Sequence, residues 1–106
     1  MPDSIREITA EVRRINKEVG YDAGNSIMGT ENARHTLAML ALIHTEVSEA
    51  AQEVRLQNPR AFANELTDVF LRLCDLAGGH GIDLVEIAWA KTRLIDEQGR
   101  DKRKII

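Results

Sequence analysis

Residues 39–54, MLALIHTEVSEAAQEV, place apolar and acidic side chains with the period of an α-helix. At about 100° per residue, the apolar members fall on one broad face: Met39, Leu40, Ile43, Val47, Ala50 and Val54. Glu46, Glu53 and Glu49 lie in that order away from the edge of this face. The stretch therefore predicts an amphipathic helix whose acids stand beside its packing surface rather than opposite it.

The N-terminal third of the chain predicts one further helix and a loop. Ser4-Ile5-Arg6-Glu7 is a capping-box pattern that begins a helix, and Gly20 ends that helix. Residues 20–31 contain three glycines without clear periodicity, so we expect a loop. The acidic helix then runs from about Asn32 to Leu56.

Two more helices complete the chain. Asn58-Pro59 is an N-cap followed by proline at the first helical position, and the helix it opens continues to Ala77 and stops at Gly78-Gly79. A fourth helix begins after Asp83 and runs to about Glu97. Since no segment alternates as a strand does, we predict an all-α fold, a four-helix bundle formed by a single domain, residues 1–106.

The composition bounds the classes of function. Apolar residues make up 43% and charged residues 29% of the chain, which is ordinary for a water-soluble domain. The net charge of −3 gives no reason to expect nucleic acid as a partner. The charged N-terminus and the absence of a long apolar run argue against a signal peptide and a membrane span. Because Cys74 is the single cysteine, no disulfide is implied and we expect a cytoplasmic protein.

The third helix repeats the arrangement of acids seen in the second. Its apolar face comprises Phe62, Leu66, Val69, Leu73 and Leu76. Glu65 and Asp68 flank one edge of that face. If the two acidic edges face each other, four carboxylates converge, and such a group needs a cation. Mg²⁺ suits it because Mg²⁺ prefers carboxylate oxygen and keeps positions for water and phosphate. The alternative is that these acids are solvated, with Asp68 paired to Arg72 at i, i+4.

The pair Glu46-x2-Glu49, fifteen intervening residues and the pair Glu65-x2-Asp68 resemble the signature of the MazG-like, all-α nucleoside triphosphate pyrophosphohydrolases. The similarity extends through LALIHTEVSEAAQEVR and FANELTDVFLRLCDLAGGHGIDLVEIAWAK. This resemblance implies that Glu46, Glu49, Glu65 and Asp68 act as catalytic residues by binding Mg²⁺, with Mn²⁺ as a possible substitute. It also implies hydrolysis of a (deoxy)nucleoside triphosphate to the monophosphate and pyrophosphate.

Lys91 lies on an apolar face of the fourth helix, which also carries Leu84, Ile87 and Leu94. A lysine in this position commonly extends along apolar surface to reach water. The resemblance favours a catalytic contact with phosphate instead, because the family's fourth helix ends its motif on a lysine.

Apolar residues also occupy a second side of the fourth helix, at Val85 and Trp89. Packing between subunits is the simplest use for that side, and the resemblance implies a homo-oligomer, a tetramer or a dimer. Two other functions stay open on the sequence. One is a phosphoribosyl-ATP pyrophosphatase, and the other is a non-catalytic bundle that binds a nucleotide or a partner protein.

Overall fold

The computed structural model describes residues 4–20 and 26–102. Four helices contain most of these residues: α1 (Ile5–Glu18), α2 (Thr30–Arg55), α3 (Pro59–Gly79) and α4 (Leu84–Lys102). The described residues include no β-strand, so the all-α prediction is confirmed. Of the expected loop, residues 21–25 lie outside the described part, and the last two positions already belong to α2. Among the described helices, none combines the length and the apolar character needed to cross a bilayer.

The start and the end of α1 follow its sequence signals. The Ser4 hydroxyl oxygen accepts a hydrogen bond from the backbone N–H of Glu7 at 3.1 Å and lies 3.0 Å from Glu7 Oε1. These contacts satisfy an N–H group that the helix itself leaves without a partner. Gly20 has a φ of 85°, a left-handed conformation that glycine adopts without a steric cost. The helix therefore ends just before this glycine, as predicted.

A tight turn at residues 56–58 joins α2 to α3. The backbone N–H groups of Gln57 and Asn58 donate to the carbonyls of Val54 and Glu53, each at 3.0 Å, which closes α2 with a Schellman motif. Gln57 occupies the left-handed position of that motif, with a φ of 56°. Asn58 then caps α3, because its Oδ1 accepts from the N–H of Ala61 at 3.1 Å. One three-residue segment thus ends one helix and begins the next, which turns the chain back on itself.

The predicted stop at Gly78-Gly79 is wrong by two residues, because both glycines are helical. The left-handed residue is Gly81, with a φ of 69°, and Ile82 N–H donates to Ala77 C=O at 2.8 Å in a second Schellman motif. Gly78 does not end the helix but contributes to the packing of α3 against α1. A Cβ atom at this position would lie 2.7 Å from Thr9 Cγ2, so the missing side chain allows α1 to approach α3 closely.

α3 is the central helix, since it packs along both α2 and α1. The buried apolar side chains come from α2 and α3: Ile43, Ala50, Cys74 and Ala77. At the end opposite the turn, Thr36 Oγ1 of α2 lies 3.3 Å from Nε2 of His80, the residue that follows α3. α2 and α3 therefore form an antiparallel hairpin along their whole length.

α4 does not complete a closed four-helix bundle within one chain. It meets α1 near its N-terminus, where Arg6 forms an exposed ion pair with Asp83 at 3.1 Å. Every residue from 86 to 98 is exposed, including Trp89 at 66% of its surface. α4 also continues to Lys102, past the predicted end near Glu97, because a lone Gly99 does not stop a helix.

Apolar surface also stays exposed on the hairpin. Val47, Val54 and Leu66, all assigned to packing faces from the sequence, are about half exposed. The radius of gyration is 16.5 Å, whereas a compact domain of this length has about 13 Å. A single chain therefore leaves part of its predicted core uncovered.

We predict that Gln57→Gly stabilises the protein. Glycine removes the cost of a side chain in the left-handed region, and we expect a gain of about 1 kcal/mol in the free energy of unfolding. Urea unfolding monitored by circular dichroism measures the change. Gln52→Gly is the matched control, because Gln52 is exposed in the interior of α2 and the same substitution there should cost about 1 kcal/mol. A loss of stability in both variants would contradict the role given to Gln57.

Candidate metal centre

The hairpin brings acids from α2 and α3 together about two helical turns from the α2–α3 turn. Glu46, Glu49 and Glu65 each offer a carboxylate oxygen, and these three oxygens lie within 4.8 Å of one another. Glu46 and Glu65 are half-buried, whereas Glu49 is exposed. The three residues are called the carboxylate cluster below. The antiparallel register produces it, since Glu49 and Glu65 lie eight residues on either side of Gln57.

Two oxygen atoms of the carboxylate cluster lack hydrogen-bond partners. Oε2 of Glu46 and Oε2 of Glu65 are buried, and neither has a partner among the described residues. A buried carboxylate oxygen without a donor is costly, and a bound cation would remove that cost. In an octahedral Mg²⁺ site, opposite ligand oxygens are about 4.2 Å apart, twice the usual metal–oxygen distance. Among three ligands of one octahedral ion at most one pair is opposite and the others are about 3 Å apart, so the three carboxylates would hold a hard cation such as Mg²⁺ or Mn²⁺ after drawing closer together.

Glu65 titrates far from the ordinary range of a glutamate. Desolvation by burial, a hydrogen bond with Glu49 and the charges of Glu49, Asp68 and Glu46 together raise the pKa of Glu65 from 4.5 to about 7. The physical reason is that burial disfavours the ionised form of Glu65, and the neighbouring negative charges disfavour it further. Near neutral pH the Glu65 carboxyl is therefore divided between its protonated and its ionised form.

Arg72 of α3 also reaches the carboxylate cluster. Its Nε donates to Oε1 of Glu46 at 3.0 Å, and the Glu46 side chain is 14% exposed. The sequence suggested Asp68 as the partner of Arg72, so the contact with Glu46 across the hairpin is a new finding. One carboxylate of the cluster is thus neutralised by the chain itself.

A cavity of about 290 Å³ opens beside this ion pair. Its polar lining consists of Asn16, Glu46, Asp68, Arg72 and Asp75. Of the four metal ligands predicted from the sequence, Asp68 is the one outside the carboxylate cluster. Asp68 is exposed, yet it lines this cavity with Glu46 and its charge acts on Glu65.

Asp75 was not identified as a site residue from the sequence. The structure shows that it is buried, with 1% of its surface exposed. It accepts hydrogen bonds from Arg13 Nη1 at 3.3 Å and from Asn16 Nδ2 at 2.9 Å, both on α1. Two features of the sequence could have identified it. Asp75 is an acid within the mainly apolar stretch LRLCDLAG, and it follows Asp68 by seven residues, which places both on the same face of α3. Asp75 therefore joins α1 to the wall of the cavity.

Two other residues from the sequence analysis lie apart from the carboxylate cluster. Glu53 is one of the residues around a different depression, beside the α2–α3 turn. Lys91 is exposed on α4 and is not among the residues that line the cavity beside Glu46. The proposed contact of Lys91 with phosphate stays a prediction.

Comparison of the chain with protein-family models, with curated proteins and with solved structures finds no match. The likeness to MazG-like enzymes therefore stands on the motif residues themselves, and their geometry is the basis for the function considered next.

Proposed function

We propose that this protein hydrolyses a (deoxy)nucleoside triphosphate to the monophosphate and pyrophosphate in the presence of Mg²⁺. The observation that carries the proposal is the convergence of three carboxylates with two buried, unpartnered oxygens. The spacing of the acids supports it, because Glu46-x2-Glu49 and Glu65-x2-Asp68 resemble the motif of MazG-like pyrophosphohydrolases. Removal of unwanted nucleotides is the purpose that this resemblance implies, and a cytoplasmic location is part of the proposal.

In this proposal the four acids hold the metal and organise the attack of water. Glu46, Glu49 and Glu65 supply oxygen ligands, and Asp68 supplies a fourth from the edge of the cavity. When bound, Mg²⁺ brings positive charge to the phosphate oxygens and makes water at the site more acidic. One of the four carboxylates that the metal does not fully occupy accepts the proton of the water that attacks the α-phosphorus. Lys91 stabilises the charge of the departing pyrophosphate.

A homo-oligomer, a tetramer or a dimer, is part of the same proposal. Trp89, Leu94 and Ile95 are exposed along α4, and Val47 and Leu66 are half exposed on the hairpin. Large apolar side chains gathered on projecting elements are typical of surfaces that pack against a second copy. Association of two or more chains would cover this surface without any change in the hairpin.

We predict that Glu49→Gln removes both metal binding and hydrolysis. The variant should lower the affinity for Mg²⁺ by about tenfold or more and reduce pyrophosphate release at least as strongly. Without metal it should be no less stable than the wild type, because one of the repelling charges is gone. Mg²⁺ titration by calorimetry, thermal unfolding and pyrophosphate release across a nucleotide panel measure the three effects.

Glu53→Gln is the matched control for this variant. It removes the same charge from the same helix, one turn away, and should leave Mg²⁺ affinity and hydrolysis within about twofold of the wild type. Equal losses in the two variants would contradict the assignment of the site. A wild-type protein that releases no pyrophosphate from any nucleoside triphosphate would contradict the proposed reaction.

We also predict a characteristic dependence on pH. Metal binding needs the ionised carboxylate, so Mg²⁺ affinity should rise as pH increases through the pKa of Glu65, about 7, and then level off. Without metal the folded pKa lies above the ordinary 4.5, so the contribution of Glu65 to stability is complete below 4.5 and is lost as pH rises through 7.

Thermal unfolding between about pH 5 and 8 with and without Mg²⁺ tests this dependence. Glu65→Gln should flatten the part of the metal-free profile that falls with rising pH. Metal-free profiles of the wild type and of Glu65→Gln that run parallel over this range would contradict the raised pKa of Glu65.

A further inference from the structure

Arg72 occupies a position between the carboxylate cluster and the cavity. It lies one helical turn after Asp68 on α3, and its Nε contacts Oε1 of Glu46 at 3.0 Å. About a third of its side chain is exposed, whereas most of the Glu46 side chain is covered. Arg72 therefore touches a proposed metal ligand with one part of the guanidinium and is open to solvent along another part of its side chain.

The cavity beside this pair is short of positive charge. Among the described residues that line it, Arg72 is the basic one, while Glu46, Asp68 and Asp75 are acidic. A chain of phosphates entering this space meets three carboxylates and one guanidinium. Asp75 already accepts from Arg13 and Asn16, so its charge is compensated from α1. Glu46 is compensated by Arg72 itself, so the repulsion that a phosphate meets arises from Asp68, and also from Glu46 once Arg72 leaves it.

We propose that Arg72 changes partner: it holds Glu46 in the metal-free protein and binds a phosphate group of the substrate once a metal ion has taken Glu46. The inference rests on the proposed function, because it needs both a metal ion at the carboxylate cluster and a phosphorylated ligand. It assigns Arg72 two successive anionic partners within one cavity.

Arg72 exchanges partners because its guanidinium and the metal ion compete for Glu46. A guanidinium and a metal ion both neutralise the same carboxylate, so binding of the metal weakens the hold of Glu46 on Arg72. A phosphate oxygen in the cavity then offers the guanidinium a stronger, charge-assisted contact, and the fork of N–H donors matches phosphate geometry. Arg72 therefore competes with the metal ion and cooperates with phosphate.

A purely structural ion pair would not affect metal binding and phosphate binding in opposite directions, so this difference tests the exchange. Arg72→Met keeps most of the stem and removes the charge. In the absence of phosphate it should tighten Mg²⁺ binding by about fivefold or more, because Glu46 loses a competing cation. With Mg²⁺ saturating, it should weaken the binding of inorganic pyrophosphate by about tenfold or more. Arg72→Lys keeps the charge but not the fork, so its pyrophosphate affinity should lie between those of the wild type and the Met variant.

Isothermal titration calorimetry on the full chain measures both affinities, first with Mg²⁺ alone and then with inorganic pyrophosphate at saturating Mg²⁺. Arg55→Met is the control for net charge, since Arg55 is exposed at the end of α2 and contacts Gln52. It should leave both affinities within about twofold of the wild type. Circular dichroism verifies the fold of each variant, and Arg72→Lys carries the test if the Met variant does not fold.

Three outcomes would overturn the inference. Parallel weakening of Mg²⁺ and pyrophosphate by Arg72→Met would show a structural role only. Unchanged affinities for both, in a protein whose wild type binds Mg²⁺ and hydrolyses nucleotide, would remove Arg72 from the site and leave the proposed function standing. A wild-type protein that binds no Mg²⁺ would remove the proposed function and the exchange together.

Discussion

Carboxylates that share a small volume repel one another unless a cation lies among them, and the α2–α3 hairpin imposes this condition on Glu46, Glu49 and Glu65. The hairpin itself depends on local backbone conformation that does not involve the acids. The left-handed residue Gln57 and the cap of Asn58 set the register of the two helices. Apolar side chains such as Ile43 and Ala50 then hold the helices together. The fold thus brings the acids together by means of turn and packing interactions, to which Glu46 adds one contact across the hairpin, with Arg72.

The chain compensates this charge on the side of the carboxylate cluster away from the α2–α3 turn, but not on the side near the turn. Arg72 contacts Glu46 across the hairpin, and Arg13 contacts Asp75 from α1. Glu65 lies nearer to the turn than both ion pairs, and it keeps a buried oxygen without a partner among the described residues and a pKa of about 7. A cluster that is neutralised on one side keeps negative charge that a bound cation would compensate. The same arrangement explains why Arg72 is suited to exchange one anion for another.

The sequence predicted the features that depend on neighbouring residues. The caps at Ser4 and Asn58 and the left-handed Gly20 follow from residue types with strong local preferences, and the structure confirms them. Helical periodicity placed the acids of α2 and α3 at the edges of the two packing faces, since residues three and four apart share a face. Whether the two edges face each other was left open by the sequence, and the structure brings three of the four acids together.

What the sequence did not predict depends on long-range packing. Gly78 reads as a helix stop, whereas its use is the close approach of Thr9 from a helix about 70 residues earlier. Asp75 was missed because nothing local shows that Arg13 and Asn16 meet it. Val47 was assigned to the core because periodicity identifies an apolar face, but it does not show whether the same chain covers that face.

The central claim is that the carboxylate cluster is a metal site, and anomalous diffraction from a crystal grown with Mn²⁺ tests it most directly. Mn²⁺ shares the preference of Mg²⁺ for carboxylate oxygen and is visible by its own scattering. We predict an anomalous peak from Mn²⁺ beside oxygens of Glu46, Glu49 and Glu65. The distances from the ion to these oxygens should be about 2.0–2.2 Å, as is usual for such small, hard cations. A crystal that carries Mn²⁺ at other sites while these three carboxylates stay without it would contradict the account.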